Sequence, residues 1–146
     1  MSAASPRSAL TDSARYEIFS AIDEILDGHA GRVARMLSGL RAEGVEPPLL
    51  LWSLARECRA LAMMADELAA GEQLGTVMSR YRVWPKRQSC VKRALQRHHT
   101  ASWDGLLRHA ARIDRQIKGL APGNVWDELL QLAQNMASTD SVQLVQ

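Results

Sequence analysis

The stretch PPLLLWSLARECRALAMMADELAA, residues 47–70, decides the fold class. Its apolar residues recur at alternating intervals of three and four positions, and they are Leu51, Leu54, Cys58, Leu61, Ala65 and Leu68. This near-heptad spacing predicts a long α-helix from residue 48 to residue 70 that packs against a nearly parallel helix. Pro48 suits the first turn of such a helix, and Gly71 suits its end.

Six further segments read as helices on either side of this one. Helical periodicity covers residues 13–27, 30–43, 74–81, 85–98, 100–120 and 124–137, of which 74–81 is the weakest. Phe19 and Leu120 belong to the apolar stripes that we expect to be buried. Strand-forming residues are scarce, and no alternation of strands and helices is visible. The sequence therefore predicts an all-α fold, a compact bundle of six to seven helices.

The chain of 146 residues is the size of one domain, which we expect to span residues 13–137. Residues 1–12 are small and polar, and they predict a disordered lead-in or a boundary at which the domain was cut; residues 138–146 predict a frayed tail. No apolar run reaches the roughly 20 residues of a membrane span. Cys58 and Cys90 form no CxxC pair, which fits a reducing, cytoplasmic protein.

The net charge of +2 conceals a basic segment, because residues 80–118 carry eleven basic and two acidic side chains. One interpretation is nucleic-acid binding, with Tyr81 and Trp84 as stacking platforms for bases. The candidate phosphate contacts are then Arg80, Arg82, Lys86, Lys92, Arg93 and Arg97. The other interpretation is a solvated helix face whose charges pair with the acidic residues 1–79 or with a neighbouring subunit.

Little catalytic chemistry is visible in the sequence. It contains no GxxxxGK[ST] or GxGxxG loop for nucleotides, no GxSxG elbow and no HExxH zinc motif. His98 and His99 are adjacent and point in different directions on a helix, so both are expected to be solvated. Asp114 and Lys118 are spaced for a bond along one helix. We predict no catalytic residue, no metal ligand and no cofactor.

Several short motifs occur together in an order that resembles a known family. They are LRAEGVEP at 40–47, LLWSLARE at 50–57, VWPKRQ at 83–88, IKG at 117–119 and VWDEL at 125–129. This set is similar to the C-terminal domain of the delta subunit of bacterial DNA polymerase III, a component of the sliding-clamp loader. The resemblance covers roughly residues 13–137.

The resemblance implies a scaffold that has no catalytic activity of its own, although the parent assembly is a DNA-directed DNA polymerase, a nucleotidyltransferase. Domains of this family pack side by side with those of the gamma or tau and delta-prime subunits into a collar. The contact with the sliding clamp lies in an N-terminal part that this chain lacks, so the chain resembles a C-terminal fragment. From charge and expected exposure, the candidate subunit contacts are Leu50, Trp52, Arg56, Arg59, Trp84, Arg87 and Lys118.

Two functions remain open at this point. The first is the collar scaffold, which predicts binding to helical domains of partner subunits. The second is a nucleic-acid-binding module that uses residues 80–118, and it predicts binding that weakens as salt is raised. The two functions are compatible, because a replication scaffold can also touch DNA with a basic face.

Overall fold

Helices make up most of the chain that the computed structural model describes, which is residues 6–138, with side chains from residue 12 onward. The helices are α1 (Pro6–Asp27), α2 (Ala30–Ala42), α3 (Pro47–Ala69), α4 (Leu74–Arg80), α5 (Gln88–Arg97), α6 (Thr100–Ile117) and α7 (Val125–Ala137). A short 3-10 turn, Pro85–Arg87, precedes α5. Residues 6–138 contain no strand. The predicted all-α bundle is therefore confirmed.

The largest differences from the predicted helix boundaries lie at the starts of two helices. Helix α1 begins at Pro6 rather than near residue 13, so the predicted lead-in overlaps the helix over residues 6–12. A proline fits the first turn of a helix because backbone N–H groups have no acceptor within the helix there, so proline loses no hydrogen bond. The segment predicted as one helix over 85–98 starts as the 3-10 turn and becomes α-helical at Gln88. The rest of the predicted lead-in and most of the predicted tail lie outside the described residues.

Helix α3 lies at the centre of the bundle. It packs most extensively on α6 and also contacts α1, α4, α5 and α7. The near-heptad row that runs from Leu51 to Ala65 is buried, and Leu68 at its end is partly buried. On α6, the helix on which α3 packs most extensively, Trp103 is fully buried. The spacing in the sequence therefore identified the buried face of α3 correctly.

Two residues that were expected in the core are exposed. Phe19 is 57% exposed, because α1 buries Ile18 and Ile22 and thereby turns Phe19 toward solvent. Leu120 is 68% exposed, because α6 ends at Ile117 and Leu120 lies in the connection to α7.

His98 corrects a third expectation, since it is 2% exposed rather than solvated. Its Nδ1 lies 2.7 Å from the hydroxyl of Ser102, and its Nε2 lies 2.7 Å from the carbonyl oxygen of Met136. The ring also packs edge-on against Trp103. Burial lowers the pKa of His98 below its usual 6.5, although the bond to the Met136 carbonyl opposes that shift. The neutral ring therefore joins the end of α5 to α6 and α7.

Candidate protein-interaction surface

A row of exposed residues runs along α3 on the side away from its buried face. It consists of Trp52, Arg56, Arg59 and Met63, and we call it the outer seam. Trp52 is 62% exposed and Met63 is 55% exposed, and both arginines are exposed. Three of the four were predicted as subunit contacts. Met63 was not, although its spacing of four residues from Arg59 is readable in the sequence.

Leu50, a further predicted contact on α3, is not available to a partner. It is fully buried in the core, four residues before the buried Leu54. Helix α3 packs against helices on several sides, and this widens its buried surface beyond the near-heptad row. Leu50 is therefore a core residue, and its prediction as an interface residue is wrong.

Arg87, another predicted contact, binds within the domain. Its Nε donates to Asp23 Oδ1 at 3.0 Å, and its Nη2 donates to Glu57 Oε1 at 3.1 Å. The Arg87 side chain is 29% exposed, so these charge-assisted bonds are partly shielded from water. Arg87 thus links α1, α3 and the 3-10 turn rather than presenting its charge to a neighbour.

Trp84 lies beside α3 in an extended segment and is 68% exposed. Before it, the Tyr81 hydroxyl donates to Glu67 at 2.5 Å, and this bond raises the pKa of Tyr81. After it, Arg87 reaches Glu57. Glu57 and Glu67 are ten residues apart on α3, so the segment 81–87 runs back along that helix for about 15 Å. The indole is therefore held at the surface by anchors on both sides.

Half of the candidate phosphate contacts are engaged inside the domain. Arg80 pairs with Glu67 and also with Glu72 at 2.9 Å, and Arg93 pairs with Asp27 at 2.6 Å. Arg97 donates to the carbonyl oxygen of Leu26 at 3.0 Å, near the end of α1, and Met136 supplies a second carbonyl. These contacts match the interpretation in which the basic segment pairs with the acidic half of the chain.

The other candidate phosphate contacts remain open to solvent. Arg82, Lys86 and Lys92 are exposed, and none forms an ion pair with a side chain of residues 12–138. Arg82 also has a φ of 55°, a left-handed conformation that helix ends usually assign to glycine. Lys118 differs from these three, because it binds Asp114 at 2.8 Å along α6, as its spacing predicts.

The titratable groups of the described chain form no recognisable metal or thiol site. No group of three or more His, Cys, Asp or Glu side chains converges there. Both cysteines are free and buried, and burial raises the pKa of Cys58 to about 12 and that of Cys90 to about 11. Such thiols carry almost no thiolate near neutral pH. Within the described residues, no helix is long and apolar enough to cross a membrane.

Comparison with known proteins gives a consistent family. A family model described as the C-terminal part of the processivity clamp loader gamma complex of DNA polymerase III matches residues 18–140. The chain is 30% identical over 134 residues to the DNA polymerase III subunit delta of Haemophilus influenzae. This match covers 86% of this chain and 39% of the relative. It is also 30% identical over 121 residues to the corresponding subunit of Escherichia coli K12, with 83% and 35% covered. The chain thus spans less than two fifths of either relative's length.

Proposed function

The chain belongs to the family of C-terminal domains of the DNA polymerase III delta subunit, and on that premise we propose that it is a non-catalytic, cytoplasmic oligomerisation domain of the clamp loader. In this role it joins the C-terminal domains of the gamma or tau and delta-prime subunits in a collar. The collar holds the complex together while other parts of the assembly load the sliding clamp during DNA replication.

The outer seam of α3 is the observation that carries this proposal. Exposed apolar side chains that group on one surface mark interaction sites, whereas single scattered ones are normal on any domain. Trp52 and Met63 share the exposed face of α3, and Trp84 is a third exposed apolar side chain beside the same helix. Tryptophan and arginine are also the residues most enriched at the energetic centres of protein interfaces.

Size-exclusion chromatography with light scattering tests the proposal directly. The chain is mixed with the gamma or tau and delta-prime subunits of the same organism. We expect one peak whose mass equals the sum of the components. Separate peaks at micromolar concentration, with the chain folded by circular dichroism, would contradict the proposal.

A second function, nucleic-acid binding, is favoured by the surroundings of Trp84. The indole is flanked by the exposed and unpaired Arg82 and Lys86, with Lys92 further along α5. The left-handed φ of Arg82, which costs about 1 kcal/mol in a non-glycine residue, belongs to the cap that ends α4, where the Val83 N–H donates to the Met78 carbonyl. Three cations and one stacking platform suit the backbone and one base of a single strand.

Fluorescence anisotropy with a labelled single-stranded oligonucleotide tests this second function. Three phosphate contacts predict a slope of about −2 for the logarithm of the binding constant against the logarithm of salt concentration. The Trp84→Ala variant should bind at least about 5-fold more weakly. Lys118→Ala is the matched control, because Lys118 is already paired with Asp114, and it should bind normally. Failure of the wild-type chain to bind at 50 mM salt would exclude nucleic-acid binding by this segment.

A further inference from the structure

Helix α3 carries two rows of side chains that share one spacing. The buried row from Leu51 to Leu68 advances by three and four residues in alternation, and the outer seam from Trp52 to Met63 advances by four, three and four. A row of apolar residues that advances by 3.5 residues on average packs along a second helix that crosses at a small angle. The buried row already packs on helices of this domain. The outer seam is apolar at its two ends, Trp52 and Met63, and no helix of the described chain covers it.

The length of the outer seam fits such a helix. Trp52 and Met63 are eleven residues apart, which corresponds to about 16 Å along the axis, or three turns. These two apolar side chains stand at the ends of the seam, more than half exposed. A partner helix with an apolar stripe would cover both of them at once.

The middle of the outer seam has an uncompensated positive charge. Arg56 and Arg59 are exposed and form no ion pair with any side chain of residues 12–138. Arg87 and Arg93, by contrast, are each matched by a carboxylate of this domain. The next position of the seam after Met63 is the exposed Asp66, where the sign of the charge reverses.

We propose that the outer seam receives one α-helix of a neighbouring clamp-loader subunit, with an apolar stripe flanked by carboxylates that face Arg56 and Arg59. The proposal rests on the proposed oligomerisation function and adds the surface and the chemistry of the partner. Charge complementarity selects an acidic helix, since a basic one would be repelled by both arginines. The end of the partner helix that faces Asp66 is expected to lack a carboxylate, because two like charges would repel there.

Two variants of the whole chain and one control test the proposal by affinity measurement. The partners are the gamma or tau and delta-prime subunits, and the readout is the dissociation constant from biolayer interferometry. Trp52→Ala removes the largest apolar contact, and Arg56→Glu with Arg59→Glu reverses the central charge. We expect each to weaken binding at least about 10-fold. Arg108→Glu, an exposed arginine on α6 rather than on the seam, should stay within twofold of wild type.

The outcomes separate this inference from the proposed function. If the wild-type chain binds its partners and both seam variants bind equally well, the outer seam is not the interface, while the oligomerisation function stands. If the wild-type chain does not bind, the oligomerisation function fails, and this inference fails with it. If Trp52→Ala instead abolishes a dimer of the chain alone, as measured by sedimentation velocity, a second copy is the occupant and the proposal is overturned. Circular dichroism at 222 nm verifies that each variant is folded.

Discussion

Replacing Arg87 with alanine tests whether this residue stabilises the domain or binds a partner. The guanidinium bridges Asp23 on α1 and Glu57 on α3 at 3.0 and 3.1 Å. Alanine removes both bonds and leaves two carboxylates facing each other across the space that the cation filled. We therefore expect a loss of folding stability, with a smaller effect on any partner surface.

The size of that loss follows from the partial burial of the three groups. Fully exposed ion pairs contribute about 0–1 kcal/mol, and removing one member of a buried pair costs about 3–5 kcal/mol. The side chain of Arg87 is 29% exposed, and those of Asp23 and Glu57 are 47% and 21% exposed. An intermediate value of about 2 kcal/mol is therefore expected for Arg87→Ala, with the Glu57 bond contributing more than the Asp23 bond.

Urea denaturation followed by circular dichroism measures this loss. With a slope of about 2 kcal/mol per molar, Arg87→Ala should lower the midpoint by about 1 M. Arg93→Ala is the matched control, because it removes an ion pair with Asp27 of the same helix α1 from a side chain that is 56% exposed. That control should lose about 0.5 kcal/mol or less. Equal losses in the two variants would refute the reasoning from burial.

Three other changes have outcomes that the structure specifies. Arg82→Gly should raise the free energy of unfolding by about 1 kcal/mol, because glycine adopts the φ of 55° without strain; an unchanged urea midpoint would count against this. Gly28→Ala should lower the melting temperature more than Gly44→Ala. Both glycines have φ near 85°, but only at Gly28 would the new Cβ approach another side chain, that of Arg97, to 2.7 Å. Equal melting temperatures would mean that the Arg97 side chain moves away at no cost. Burial lowers the pKa of His98 in the folded chain below 6.5, so as the pH falls the unfolded chain binds a proton at His98 before the folded chain does. The contribution of His98 to folding stability is therefore complete above pH 6.5 and declines as the pH falls toward the folded pKa. Between pH 7 and pH 5.5 the wild-type chain should lose up to about 1 kcal/mol more than His98→Gln in urea denaturation, and parallel losses would contradict the assignment of a neutral ring.

The sequence predicted the helices well because their signals are local. Periodic apolar positions lie within a few residues of each other, so the spacing in α3 was readable. Helix ends are equally local: at the start of α7, the Asn124 side chain accepts a bond from the Asp127 backbone N–H at 3.1 Å. The prediction that Phe19 is buried was wrong, because neighbouring helices rather than periodicity decide whether a residue at the edge of the apolar stripe is buried.

The candidate surface was less predictable because it depends on long-range contacts. Arg56 and Arg87 are alike in sequence, yet Arg87 finds carboxylates 64 and 30 residues away, and Arg56 finds none among the described residues. Leu50 and Trp52 are two residues apart on one helix, and only tertiary packing decides that Leu50 is buried while Trp52 is exposed. Met63 could have been found, because it extends the spacing of Trp52, Arg56 and Arg59 by one more step.

Native mass spectrometry of the chain mixed with the gamma or tau and delta-prime subunits tests the central claim most directly. A collar domain predicts a stable complex of fixed stoichiometry with these subunits, and Trp52→Ala should reduce the fraction of complex at equal concentration. A spectrum that shows only the free chain and the separate partners, with the chain folded, would contradict the assignment of this domain to clamp-loader assembly.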